Sequence, residues 1–404
     1  MKSLIGQPEH LKAINRARAL DVLFQERILS RPQLAERTGL SRATIAILIE
    51  ELLQAGLVRE HGMGDSGGGR PPVLLEFNPD AALALGARLR DRRWGIVLTD
   101  LDACVVRRVD APLSDLSPES AIAALQSGVA QITTGIDPAR LLPAIGLGTP
   151  GLVDMTAGVV KTAVDVGWFD VPFGAMAATA LGMAVHVANR SKVGALAELW
   201  NGRNAGVQNL IYISIGTGVA AGIVIQGQLY TGVNSSAGEL GHVTVQPGGP
   251  LCACGNRGCL QSLVSAPAIA SRARERLRQA PHSLLPRLVE GHPERIVAET
   301  VFAAAEQGDP LARQVMEETA QFLGIAVANL VNLFNPELIV LGGPVSQAGQ
   351  VLLDPVRTEV QRRAMAYPLS AVRIVTSTLG ADAGAIGAAV LVLQRTSELF
   401  FARN

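Results

Sequence analysis

Apolar residues recur at helical spacing from Leu11 to Leu29, at Ile14, Ala17, Leu20, Val22, Leu23 and Phe24, with Arg16 and Arg18 on the other side. The pattern predicts a first amphipathic helix. In Ser30 through Ile45, Pro32 suits the first turn of a second helix, Ala35 allows close approach and Gly39 makes a sharp turn. Ser41 can cap a third helix whose inner face is Ile45, Leu48, Ile49 and Leu52. Gly56-Leu57-Val58 ends that unit. Alternating residues at Arg59-Glu60-His61 and Val73–Phe77 then flank a Gly-rich tip, Gly62 to Pro72, which predicts a two-stranded wing.

Two short helices joined by a Gly-containing turn and followed by a wing form the winged helix-turn-helix pattern of DNA-binding proteins. Ser41, Arg42, Ala43 and Thr44 begin the helix that would enter the major groove, and Gln33 on the preceding helix is a further candidate contact. Arg70, in Gly-Arg-Pro, could reach phosphate or the minor groove, though the same tripeptide is common in plain flexible tips. A small module that dimerises or docks proteins is the alternative reading of this segment.

From Leu83 onward the pattern changes. Short apolar runs rich in β-branched residues, most ending in Gly, stand at Trp94–Asp100, Ala144–Gly148, Met183–Val187, Asn209–Ile215 and Glu337–Leu341. Helical stretches, such as Lys192–Trp200 and Asp309–Phe334, lie between them. The alternation predicts α/β layers, with two related lobes a plausible arrangement.

A chain of 404 residues suggests two or three domains, and 48% hydrophobic content with a mean hydropathy of +0.29 is ample for a core. Lys plus Arg equals Asp plus Glu at 35 each, so whole-chain charge does not point to nucleic acid; a small reading head on a large neutral body would be diluted in that sum. Met1 to His10 lacks the apolar stretch of a signal peptide, and no apolar run is long enough to span a bilayer. The expectation is a cytoplasmic protein without a membrane partner, in a compartment where thiols stay reduced.

Three of the four cysteines cluster at Cys252, Cys254 and Cys259, and His242 lies just upstream. Three thiolates and one imidazole suit tetrahedral Zn2+, and four protein ligands make a closed, structural site. Gly255 and Gly258 supply the backbone freedom that so tight a loop requires. Free or disulfide-linked thiols are the competing reading.

These segments together resemble the ROK family of repressors, open reading frames and kinases. The resemblance rests on Gly146-Leu147-Gly148-Thr149-Pro150-Gly151, Ile215-Gly216-Thr217-Gly218-Val219, Ala237-Gly238-Glu239-Leu240-Gly241-His242, the cysteine cluster, Asn335-Pro336-Glu337 with Gly342-Gly343, and Gly384–Ala389. It spans about Leu83 to Leu393 and, with the N-terminal unit, the whole chain. It implies a two-lobed, actin-like ATPase fold (sugar-kinase-like) with sugar bound between the lobes. The corresponding layout is a winged helix-turn-helix at 1–80, a first α/β lobe at 81–190 plus 380–404, and a second at 191–379 carrying the zinc site and a dimerisation surface.

The resemblance also implies losses. Family kinases carry Asp-x-Gly-Gly-Thr near the start of the first lobe, where a carboxylate positions metal and glycines cradle phosphate. Here Arg88 stands at that aspartate and the glycines are gone. The kinases' aspartate base follows an asparagine, and that pair reads Asn189-Arg190 here; an arginine cannot take a proton. Sugar contacts map to Asn189, Glu239 and His242, beside Gly148, Pro150 and Gly151, while Gln261 replaces an expected glutamate. Arg190 either favours an anionic ligand or pairs with Glu198 or another local acid. The implied function is non-enzymatic: a repressor of carbohydrate genes, controlled by a sugar or sugar derivative and binding a near-palindromic operator as a homodimer or dimer of dimers. The alternatives are a sugar kinase with an accessory DNA-binding domain and, as for some relatives, a scaffold for a phosphotransferase protein.

Overall fold

The computed structural model describes residues 8–65, 71–90, 92–200, 204 and 206–401. The N-terminal unit comprises α1 (Pro8–Glu26), β1 (Ile28–Ser30), α2 (Arg31–Thr38), α3 (Arg42–Gln54), β2 (Val58–Met63) and β3 (Val73–Phe77). Helix α1 stops short of the expected Leu29. Arg27 takes the left-handed conformation at φ 67°, and Ile28–Ser30 pairs antiparallel with β3. The wing is therefore a three-stranded sheet in the order β1-β3-β2, one strand more than the alternation revealed. Three residues are too short to show a period of two.

Ser30 and Gln33 form a capping box at the start of α2, with the Gln33 Oε1 accepting from Ser30 N at 2.8 Å. Gly39 turns the chain at φ 67°, and Ser41 Oγ accepts from Thr44 N at 3.1 Å to cap α3. Ile45, Leu48, Ile49 and Leu52 are buried as expected, but Ile14 on α1 faces solvent.

The body holds two five-stranded sheets. The first contains β4 (Leu83–Arg90), β5 (Arg93–Thr99), β6 (Val105–Pro112), β7 (Leu141–Thr149) and β11 (Ala184–Asn189). A small sheet of β8 (Leu152–Asp154), β9 (Val159–Ala163) and β10 (Trp168–Val171) stands beside it. The second large sheet contains β12 (Leu210–Ile215), β13 (Val219–Ile225), β14 (Gln228–Tyr230), β15 (Leu338–Gly342) and β16 (Arg373–Thr376). The orders are β11-β7-β4-β5-β6 and β14-β13-β12-β15-β16. In each, three strands form an antiparallel meander and two more return parallel beside the first. The same topology occurs twice, as the expected actin-like architecture requires. All five strands expected from apolar runs are present, as β5, β7, β11, β12 and β15.

Helices α4 (Pro118–Thr133) and α5 (Phe173–Leu181) cover the first sheet. The second sheet is covered chiefly by α7 (Gln261–Val264), α8 (Ala266–Arg276), α9 (Leu285–Leu288), α10 (Ala298–Glu306), α11 (Pro310–Phe334) and α12 (Gln350–Arg363), with the short α13 (Ala366–Ala371) at its edge. Two helices join the lobes. Helix α6 (Arg190–Trp200) packs on β12 and β13, and α14 (Ala383–Leu393) packs on β4, β7 and α6. Small residues make this crossing possible: a Cβ on Gly146 would lie 1.7 Å from the Ala388 carbonyl oxygen, and one on Gly387 would lie 1.6 Å from that of Val193. Because the obstacle is backbone, Gly387→Ala should cost about 1–3 kcal/mol or more, read as a lower urea midpoint, by forcing the two helices apart.

The N-terminal unit, the head, is docked on this body. Phe24 of α1 packs against Phe77 and Trp200 at centroid distances of 5.3 and 4.7 Å, and Arg27 pairs with Asp102 at 2.6 Å. The terminal helix α15 (Thr396–Phe401) lies along α1, with Arg16 3.4 Å above the Phe401 ring. Among the described residues, no helix is long and apolar enough to cross a membrane.

Candidate metal centre, ligand cleft and nucleic-acid interface

Gly238, at φ 97°, leads into a 3-10 turn at Leu240–His242 that presents the imidazole. The chain returns through a knuckle in which Gly255 N donates to Cys252 O at 2.9 Å and Cys252 N donates to Asn256 O at 2.8 Å. Gly255 and Gly258 have φ of 89° and 70°, and a Cβ on Gly258 would lie 1.6 Å from Gln246 O. The two glycines singled out from the sequence are thus required by the backbone.

The knuckle brings His242, Cys252, Cys254 and Cys259 together, their ligand atoms all within 4.8 Å of one another. The His242 Nδ1 lies 3.7 Å from Cys252 Sγ, and Cys254 Sγ lies 3.7 Å from Cys259 Sγ. Tetrahedral bonds of about 2.3 Å to sulfur and about 2.0 Å to nitrogen would put ligand atoms roughly 3.5–3.8 Å apart, so the donor set fits a tetrahedral metal. The cysteines are not disulfide-linked. Burial among neighbouring thiols pushes Cys259 up to about 12, while a backbone hydrogen bond from Asn256, aided by the neighbouring thiols and His242, brings Cys254 down to about 7. A bound cation is what would hold both as thiolates.

The expected ligand residues come from both halves of the body: Gly148, Pro150, Gly151 and Asn189 from β7, the turn after it and β11, and Glu239, His242 and Gln261 from the segment between β14 and α8. Gly148 ends its run beside Arg88, the two being register partners on β7 and β4. Pro150 and Gly151 form the following turn, where a Cβ on Gly151 would strike Thr162 O at 2.0 Å. Asn189 donates from Nδ2 to Gly151 O and accepts at Oδ1 from Ser191 N and Oγ at 2.8 and 2.7 Å, so it also anchors the start of α6. Glu239 and His242 come from the second lobe. His242 turns Nδ1 to the thiols, which leaves Nε2 on the opposite edge of the ring. Gln261 Oε1 accepts from Val219 N at 3.1 Å, fastening α7 to the β12–β13 hairpin.

Of the two readings of Arg190, the local pair is the one formed. Its partner is Asp165, at 2.9 Å, and not Glu198, which accepts instead from Ser377 Oγ at 2.5 Å. The Asp165 turn between β9 and β10 is remote in sequence, so no helical spacing announced it. The sequence reading also passed over Lys192, 2% exposed, whose Nζ donates to Ala237 O at 3.1 Å. Burial lowers its pKa and the charge of Glu239 raises it; burial raises Glu239, and Lys192 and then His242 lower it. A lysine in an otherwise apolar helix face was the available signal. The added cations Arg190 and Lys192 are therefore offset by Asp165 and Glu239, which removes the charge reason to favour an anionic ligand.

On the head, Arg42 and Ala43 are exposed at the first turn of α3, and Thr44 bonds Ser41 at 2.8 Å. Arg31, Arg37 and Arg59 are tied to Glu60, Glu26 and Glu76, whereas Arg42 has no acid within salt-bridge reach among the described residues. The Gln33 carbonyl is committed to the capping box. Arg70 lies outside the described residues.

The ROK family model matches residues 95–395. A putative xylose repressor of Caldicellulosiruptor sp. is 32% identical over 392 residues, covering 96% of this chain and 98% of its own. A glucokinase of Halalkalibacterium halodurans is 40% identical over 287 residues, covering 68% of this chain and 87% of its own. Among solved structures, a ROK family transcriptional regulator, a homolog of the E. coli MLC protein, superposes with a TM-score of 0.84 at 30% identity over 98% of this chain and 99% of its own. The repressor and regulator match the head as well as the body, and the glucokinase leaves about a third of this chain unmatched. With its duplicated sheets, its His/Cys3 knuckle and these matches, the chain belongs to the ROK family.

Proposed function

We propose that this chain is a DNA-binding transcriptional regulator of carbohydrate genes, acting as a repressor and controlled by a sugar or sugar derivative that it binds between the lobes and does not phosphorylate. The observation that carries this reading is the placement of two arginines, Arg88 beside Gly148 on the first sheet and Arg190 paired with Asp165 at the start of α6. Arg88 occupies the β4–β5 hairpin where a kinase would hold phosphate and metal, beside the Gly148 run. Arg190 occupies the position of the base and is locked to Asp165. A permanently charged guanidinium can neither ligate a metal ion, as the carboxylate at the Arg88 position must, nor accept a proton, as the base at the Arg190 position must, so neither site supports phosphoryl transfer. The full-length match to repressors and the unpaired Arg42 on a capped α3 support the DNA-binding half.

In this reading the head reads a near-palindromic operator as a homodimer or dimer of dimers, with Arg42, Ala43 and Thr44 at base edges and Ser41 fixing the helix start. Zn2+ held by His242, Cys252, Cys254 and Cys259 is structural: it cross-links the knuckle and orients His242, whose free Nε2 can meet a sugar hydroxyl. Asn189, Glu239 and the Gly148–Gly151 turn supply the remaining polar contacts.

A coupled ADP-release assay with ATP, magnesium and a panel of hexoses and pentoses tests the cleft. The expected outcome is no sugar-dependent turnover for the wild type, and none for Arg190→Asp, because Arg88 still blocks the phosphate hairpin. Sugar-dependent ADP formation by the wild type would establish the kinase reading instead.

A further inference from the structure

A second cavity lies outside the interlobe cleft. It is a groove of about 1360 Å³ between α1 of the head, both lobes, and the junction of α14 with α15. Ligand pockets usually measure about 300–1,000 Å³, so this one has room for more than a single sugar ring. Five glutamines converge on it, Gln25 from α1, Gln208, Gln226 and Gln228 from the second lobe, and Gln394 from the end of α14. No side-chain hydrogen bond to another described residue is made by any of them, so each offers an amide donor and a carbonyl acceptor.

The charges are balanced. Asp21 of α1 lines the groove with its side chain open to solvent, and the surrounding protein pushes its carboxyl up by desolvation. It has no cation partner among the described residues. Arg395 also lines the groove, with Nη1 3.4 Å from His186 Nδ1, and Arg27 is taken by Asp102. Because an arginine only donates, the His186 proton belongs on Nε2. Burial and Arg395 lower this imidazole, which keeps it neutral. One open carboxyl against one guanidinium leaves no net field for an anionic ligand. Phe24 and Trp200 supply an aromatic wall of the kind that sugar C–H faces pack upon, and the buried Trp200 indole N–H has no acceptor.

We propose that this groove is a second binding site, for a neutral carbohydrate of disaccharide size or longer. The site goes beyond the cleft ligand of the proposed function. A ligand held by Asp21 and Gln25 on one wall and Gln208, Gln228 and Gln394 on the other would bridge head and body directly. It would stabilise the docked arrangement of the head by its differential affinity for that arrangement.

Calorimetry on the full chain carrying Glu239→Ala in the cleft, titrated separately with cellobiose, maltose and xylobiose, tests the site without DNA in the readout. At least one disaccharide is expected to bind. Adding Asp21→Ala, or separately Gln228→Ala, should weaken it by roughly tenfold or more, the scale of one or two lost hydrogen bonds, with the melting temperature unchanged. Binding by none of the three sugars, or equal binding by the parent and both groove variants, overturns the proposal. Because no operator is involved, failure of the DNA-binding reading would leave this result intact, and the converse also holds.

Discussion

Cys259→Ser is expected to release the metal and to produce the largest stability loss of any single substitution in the body. Cys259 has no exposed surface, and it faces Cys254 Sγ at 3.7 Å on the floor of the knuckle. Serine is a poor ligand there, and the other two thiols and His242 would be left crowded without a cation. The cost should exceed about 4 kcal/mol, the range reached when a metal is lost. Elemental analysis should fall from about one zinc per chain to near zero, with a large drop in melting temperature. An unchanged melting temperature, or a metal-free wild type of full stability, would remove zinc from the account. The local nature of the damage is also testable. Hydrogen exchange should rise first in 240–262, because the knuckle hangs on the Leu260 N to Val243 O and Val245 N to Gly258 O bonds.

Arg42→Ala should have the second large effect, on DNA alone. The side chain stands on the first exposed turn of α3 with no acid to release, so its loss should leave folding unchanged. If it reads a base bidentately, operator affinity should fall by about 1–3 kcal/mol, and sequence preference should relax at that position. Ser41→Ala should act differently. It removes the cap of α3 and should destabilise the head by about 1 kcal/mol, weakening binding to all sequences alike. Unaltered operator binding by Arg42→Ala would move the contact elsewhere on the helix.

Much of the site was legible in the sequence where short-range chemistry decides geometry. Cys252, Cys254 and Cys259 converge because Gly255 and Gly258 force the turn, and Ser41 caps α3 because only a short polar side chain does so. The long-range parts were not legible. The partner of Arg190 comes from a hairpin 25 residues away in sequence. A local contact was also passed over: the Gln33 carbonyl closes a capping box with Ser30, three residues earlier, a use that competes with reading DNA. Strand β4 was missed as a strand because it is buried on both faces, so Leu83–Arg90 shows no clean alternation. The extra wing strand was hidden by the apparent continuation of α1, which the left-handed Arg27 ends. The groove between head and body was out of reach, since Gln25, Gln208, Gln228 and Gln394 meet only after three units dock.

The coupling of ligand to DNA rests on linked equilibria. A sugar can shift operator affinity only as far as it prefers one arrangement of lobes and head. The helices α6 and α14 join the two lobes, and α14 runs into α15, which grips α1. A change of lobe angle would therefore have a contact route to the head at Arg16 and Phe401.

The most direct test is fluorescence anisotropy on the DNA site that the full-length protein enriches from a random pool, with protein titrated in the presence and absence of each sugar of the panel. The account predicts a two-fold symmetric site and an affinity that changes by about fivefold or more with at least one sugar, the scale of about 1 kcal/mol of coupling. Failure to enrich any site above random DNA would contradict it, and so would operator affinity that no sugar alters.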